Sequence, residues 1–171
     1  MLTENFLALG HPFNDTIATL AVITYCATLY PGICRELFSH RSIKILGRYR
    51  QQIGIISCLL ACMHAVHSVQ LSFSEHPYMD LLSRFHGHIS GLVCLTIFVL
   101  LGVTSNRWMQ KKLKKGWKHL HSLTYVLPLL LVWHIVSKMT DWTILTQLCF
   151  LLLISAASLL TLRFSKRILA F

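Results

Sequence analysis

Negative charge is scarce in this sequence: six Asp and Glu stand among 171 residues, against sixteen Lys and Arg. Charge of either sign is sparse, at 13% of residues, where a soluble domain carries roughly 25%. There is no GxGxxG and no P-loop, so the usual glycine cradles for nucleotide phosphates are missing. None of the six cysteines (Cys26, Cys34, Cys58, Cys62, Cys94, Cys149) forms a CxxC pair. Cys58 and Cys62 share a helical face, but two thiols alone make a poor metal site. The cysteines read as small lipid- or core-facing residues. Internal repeats, low-complexity tracts and linkers are also absent, so residues 1–171 read as a single domain.

What the sequence does have is apolar length. Apolar residues make up 54% of the chain. They form runs of the length, about 17–25 residues, that a helix needs to cross a hydrocarbon core. The runs do not alternate apolar with polar residues, so they read as helices and not as barrel strands. Five runs are expected: Ile17–Cys34, Gln51–Phe73, His88–Thr104, Leu120–Val136 and Trp142–Leu162. A polar loop is expected over Ser74–Gly87 and a turn over Lys138–Asp141. Met1–Asp15 lacks the basic region and cleavage site of a signal peptide, so the first run is expected to remain as a helix.

The net charge of +10 does not point to nucleic acid, because the basic residues lie between the runs, where they set topology. With the N-terminus outside and the C-terminus inside, fourteen of the sixteen basic residues fall on the inner side. Only Arg84 and Lys138 are left outside, together with five of the six acids. The expected fold is therefore an all-α, multi-pass integral membrane bundle of about five helices embedded in lipid. After the fifth run about nine residues remain, which leaves no room for a nucleotide-binding domain.

Ten histidines are many for such a chain, and ionisable groups inside a bilayer are costly and usually functional. His64 lies thirteen residues into the second run and His134 fourteen into the fourth. Both runs are oriented outward, so the two imidazoles reach the same depth, toward the outer side. That is the arrangement that axial ligation of a haem iron requires. The competing reading for each is a histidine hydrogen-bonded to backbone or to the other. His121 is a third candidate, thirteen residues before His134, which is about 20 Å of helix but roughly 140° of rotation. Pro128 lies between them and offers a kink. Trp117 and Tyr125 flank His121 by one turn each, and the three also read as an interfacial aromatic belt. A second haem at His121 lacks an obvious partner, since Gln51 or Arg50 occupies the matching depth on the second run. His67, His76, His86 and His88 read as outer-side residues, with His86 and His88, two apart, either solvated interfacial histidines or a metal or anion site. His11, His40 and His119 read as loop residues.

The segment TSNRWMQKKLKKGWKHLHSLTY with LPLLLVWHIV, and RYRQQIGIISCLLACMHAVHS upstream, resembles the ferric-reductase-like transmembrane superfamily. Within it the pattern is similar to the haem-binding membrane subunit of the bacterial methionine sulfoxide reductase system (MsrQ, also called YedZ). The shared positions are Thr104, Ser105, Gln110, Leu113, Trp117, Leu120, His121, Tyr125 and His134, with Gly54 and His64 upstream. The resemblance covers residues 45–138. It implies haem b held by His64 and His134, with His121 a further family histidine. It also implies a cell inner (plasma) membrane location and electrons from a cytosolic flavoprotein. Related two-haem oxidases have a histidine where Arg50 stands here, and related one-haem reductases place a flavin at the inner site. FMN or FAD, or haem propionates, are thus candidates for Arg48, Arg50 or Lys118 through charge-assisted hydrogen bonds. Six helices are expected of the methionine sulfoxide reductase subunit, one more than the runs counted here.

The sequence reading is a haem b cytochrome: an electron-transfer subunit of an oxidoreductase system. It takes electrons from a flavin- or NAD(P)H-linked donor to an outer acceptor. A periplasmic partner reductase, ferric iron or a quinone are the candidate acceptors. The alternatives are a non-enzymatic haem-binding subunit of a larger complex and a small metal transporter.

Overall fold

The computed structural model describes residues 2–37, 45, 47–75, 81–138, 147–156, 158 and 161. Among them all regular structure is helical. In chain order these are α1 (Leu2–Leu37), α2 (Arg50–Glu75), α3 (Leu81–Val103), α4 (Arg107–Leu113) and α5 (Lys115–Ser122). A 3-10 turn (Leu123–Tyr125) and α6 (Leu127–Lys138) follow. The last described helix is α7 (Gln147–Ala156).

By length and composition, Arg50–Ser74 and Lys115–Ser137 are each able to cross a membrane. A third span exists if α3 and α4, bent by 96° at a short break, count as one. The apolar surface fits that setting. Ile56, Leu59, Met63, Val66 and Phe73 line the outside of α2, and Leu129, Trp133 and Val136 the outside of α6. Buried polar residues, among them Asn14, Ser57, Ser90, Thr104 and Thr124, face inward. Many hydroxyls return to a carbonyl of their own helix, as Thr24 does to Leu20 (2.7 Å) and Thr96 to Leu92 (2.8 Å). Such self-contained bonding is what an environment without water demands.

The core joins four helices: Tyr25 and Leu29 of α1, Phe98 of α3, Leu127 and Leu131 of α6, and Leu153 of α7. Polar pins cross it. The Tyr25 hydroxyl donates to the Thr124 carbonyl, Tyr30 meets Ser155, and Ser57 Oγ donates to the Ala21 carbonyl at 2.8 Å. Helices approach closely where side chains are small. A Cβ on Gly102 of α3 would stand 2.9 Å from Cys58 Sγ of α2.

Several expectations change. α1 begins at Leu2, well before the apolar run, so His11 is helical and not a loop residue. The extension is held by contacts to α2: Phe13 packs edge-on against His67 at 5.4 Å. His119 is likewise helical, in α5, while His40 lies outside the described residues. The loop expected over Ser74–Gly87 narrows, since α2 runs to Glu75 and α3 starts at Leu81, leaving 76–80 outside the described residues. Lys138 closes α6 instead of opening a turn. The basic block Arg107–Lys118 folds into α4 and α5, broken at Lys114 with φ 47°. Asn106 caps α4, its Oδ1 accepting from the Met109 amide at 2.7 Å, a standard N-cap contact.

Candidate functional site

Among the described residues, two cavities carry the candidate histidines. The first, about 320 Å³, is walled by small and apolar side chains such as Ala18, Ala61, Ala65 and Phe98, and has His64 and His134 on its lining. Its volume falls in the range of roughly 300–1,000 Å³ seen for cofactor sites. α2 carries His64 and α6 carries His134, and the two ring centroids are 6.5 Å apart with planes at 75°. Imidazole nitrogens each about 2 Å from one metal, and each about 1 Å from its ring centre, put the centroids about 6 Å apart. The pair is therefore spaced for one metal between the rings.

Hydrogen bonds fix which nitrogen of each ring carries the proton. Asn14 Nδ2 donates to Ser68 Oγ at 2.9 Å, which turns the amide oxygen toward His64. That oxygen is 3.1 Å from His64 Nδ1, and the Asn14 backbone carbonyl is 3.4 Å from the same atom. Neither oxygen has a hydrogen, so Nδ1–H is the donor. Around His134, Ser137 Oγ donates to the His134 carbonyl at 2.9 Å. Ser137 must then accept from Ser90 (3.0 Å), and Ser90 must accept from His134 Nδ1–H (2.9 Å). Both rings are thus Nδ1–H tautomers whose Nε2 atoms bear the lone pair. A second ring N–H bonded to a neighbouring oxygen is the usual arrangement for a metal-ligating histidine. The donor set and the cradle fit haem iron. The cradle also depends on Gly91, where a Cβ would stand 2.9 Å from His134 Cε1.

The second cavity, about 500 Å³, is lined by Arg48, Arg50, Lys118, Trp117, His121 and Tyr125 among others. Trp117 stacks on His121 at 4.1 Å and 27°, and its indole N–H donates to the Thr104 carbonyl at 2.9 Å. Thr104 Oγ1 gives its own proton to the Leu100 carbonyl at 2.6 Å. It therefore accepts from His121 Nε2–H at 3.2 Å, and the His121 ring is the opposite tautomer. Phe98 lines both cavities and packs edge-on against Tyr25 at 5.4 Å.

The structure thus brings His64 and His134 together and sets His121, Arg48, Arg50 and Trp117 around a separate cavity. A 3-10 turn, Leu123–Tyr125, lies between His121 and His134; three residues at about 120° each, in place of 100°, would bring the roughly 140° of a regular helix to roughly 80°. His67 packs edge-on against Phe13 at 5.4 Å. His86 and His88 lie on α3, with side chains outside the described set. Cys26, Cys94 and Cys149 are buried and Cys58 and Cys62 half-buried. Among the described residues no three His, Cys, Asp or Glu gather as a metal site. Sequence reasoning missed Asn14, Ser68, Ser90, Ser137 and Gly91. The one signal for them was Ser90-Gly91 interrupting an apolar run.

The family model described as "Ferric reductase like transmembrane component" matches residues 17–132. The heme-binding subunit MsrQ of Brucella anthropi protein-methionine-sulfoxide reductase is 24% identical over 141 residues, covering 76% of this chain and 58% of its own. The MsrQ of Brucella ovis is 29% identical over 100 residues, 57% of this chain and 45% of its own. The magnetosome protein MamZ of Paramagnetospirillum magneticum is 32% identical over 98 residues, 55% of this chain and 15% of its own. The chain thus spans about half the length of these MsrQ relatives and a small part of MamZ. No solved structure matches. Since the family match covers more than half of the chain, the protein belongs to the ferric-reductase-like transmembrane component family.

Proposed function

We propose that this protein is a membrane electron-transfer subunit that holds haem b between His64 and His134. The observation that carries the reading is the pair of Nδ1–H imidazoles facing each other at 6.5 Å across an apolar cavity. Haem supplies one-electron chemistry, its iron alternating between ferric and ferrous, with potential set by ligands and surroundings. The chain's own task is to hold the rings, exclude water with Ala and Phe98 walls, and keep the site at a fixed depth.

The charge pattern supports five spans with the N-terminus outside, which puts the paired imidazoles toward the outer face and the second cavity toward the inner one. On the inner side, Arg48, Arg50 and Lys118 beside the Trp117 indole suit an anionic planar group, either FMN or FAD or the propionates of a second haem. Electrons then enter from a cytosolic flavoprotein and leave to an outer partner protein, ferric iron or a quinone. The name of the MsrQ relatives, as a subunit of a methionine sulfoxide reductase, supports the partner-protein form. A haem-binding subunit with a purely structural role is the competing reading.

A reduced-minus-oxidised visible spectrum of the purified protein tests the reading. Soret and α bands that respond to dithionite are expected, and His64→Ala and His134→Ala should each abolish them while His119→Ala does not. A wild-type protein without these bands overturns the assignment. Haem that dithionite reduces, but that a flavoprotein with NADPH never reduces, favours the structural role.

A further inference from the structure

The two imidazoles are not held alike. His64 Nδ1 faces two carbonyl-type oxygens, the Asn14 side-chain amide at 3.1 Å and the Asn14 backbone at 3.4 Å. His134 Nδ1 faces a hydroxyl oxygen, Ser90 Oγ, at 2.9 Å. Asn14 is 8% exposed and Ser90 5%. At that depth an amide left without partners costs about 1–3 kcal/mol, so its bonds are obligatory. Asn14 is tied on its other side to Ser68 (2.9 Å), one turn beyond His64 on the same helix. The amide therefore cannot rotate without breaking a bond to α2. Asn14 also precedes residue 17, where the family match begins, so the comparisons assign it nothing.

We infer that Asn14 and Ser90 are positioning residues for the proposed haem ligands, and that Asn14 is the one that sets the redox potential. An acceptor on Nδ1–H pulls the ring toward imidazolate, raises its basicity and so favours the ferric state. The His64 ring, which faces an amide oxygen, is the more basic ligand. The Ser90 hydroxyl at His134 is a weaker acceptor than an amide carbonyl and polarises its ring less strongly. The first-helix extension thereby gains a purpose: its contacts to α2 bring an acceptor to His64.

This inference rests on the proposed haem ligation. The test measures haem affinity, the dithionite-titrated midpoint and the ferric low-spin spectrum in full-length protein. Asn14→Leu is expected to weaken haem binding about tenfold or more, the range for lost outer-sphere partners of a metal ligand. Asn14→Asp keeps the acceptor and strengthens it. It is expected to retain haem and shift the reduction equilibrium about tenfold toward ferric, which is 59 mV for one electron. Ser90→Ala is expected to loosen the ligand with a smaller shift, and Ser90→Thr to restore it. Thr16→Ala, which removes a hydroxyl bond to Pro12 in the same helix, is expected to change none of these.

Wild-type affinity and midpoint in both Asn14 variants overturn the inference while leaving the haem reading intact. A wild-type protein that binds no haem overturns the haem reading itself. If Asn14→Leu does not accumulate as folded protein, Asn14→Asp decides: an unchanged midpoint overturns the inference, a lowered one supports it.

Discussion

The two cavities differ in how they bond their histidines. In the first, two imidazoles give their Nδ1 protons to Asn14 and Ser90, among walls of alanine and phenylalanine. In the second, one imidazole gives its Nε2 proton to Thr104, is covered by Trp117, and shares the cavity with Arg48, Arg50 and Lys118. The same residue type thus presents opposite nitrogens. A paired Nε2 set among apolar walls suits a metal held from both sides. A single ring already bonded through Nε2, beside three cations, suits recognition of a negatively charged ligand. A histidine count does not separate these roles, but proton accounting around each ring does.

Breaking that contrast is expected to give the largest effect. Removing either member of the pair, His64 or His134, should eliminate the haem absorption bands. His121→Ala should retain them, because Nε2 of His121 is bonded to Thr104. Loss of all haem in His121→Ala would merge the two sites into one and contradict the distinction.

Next in size is the effect of discharging the second cavity. Arg50→Ala is expected to slow reduction by a flavoprotein donor about tenfold, the equivalent of roughly 1.4 kcal/mol from one lost charged hydrogen bond. The haem spectrum and midpoint should stay at wild-type values, as checked by stopped-flow reduction beside a static titration.

Packing sharpens the comparison further. Gly91→Ala forces a Cβ to within 2.9 Å of His134, and Gly102→Ala forces one to within 2.9 Å of Cys58. Each is expected to destabilise the bundle by about 1–3 kcal/mol, the usual range for overpacking. Only Gly91→Ala should also lower haem occupancy. Denaturant unfolding in detergent with parallel haem quantitation separates the two. The smallest effect is expected at Trp108, 64% exposed with Lys112 Nζ 4.8 Å from its ring. Its loss should cost at most about 1 kcal/mol and leave both cavities unaltered.

The apolar runs and basic blocks made a helical membrane protein legible in the sequence, because lipid imposes length and topology on any span. His64 and His134 were legible as a pair because depth follows directly from helix rise. Three things were not. Asn14 lies before the first apolar run, and nothing in its neighbourhood says that α1 starts at Leu2 and carries it against His64. The His121 tautomer depends on Thr104, seventeen residues away across the bend after α3. The 3-10 turn at Leu123–Tyr125 interrupts what reads in the sequence as one continuous run. Each is a product of tertiary contact, which spacing along one helix does not encode.

The central claim is that His64 and His134 are the two axial ligands of one haem iron. Low-temperature electron paramagnetic resonance of the oxidised, haem-loaded protein tests it most directly. Ring planes 75° apart predict a strongly anisotropic low-spin ferric signal, lost or turned high-spin in His64→Ala and His134→Ala. A high-spin signal in the wild-type protein, or a low-spin signal that survives both substitutions, would contradict the account.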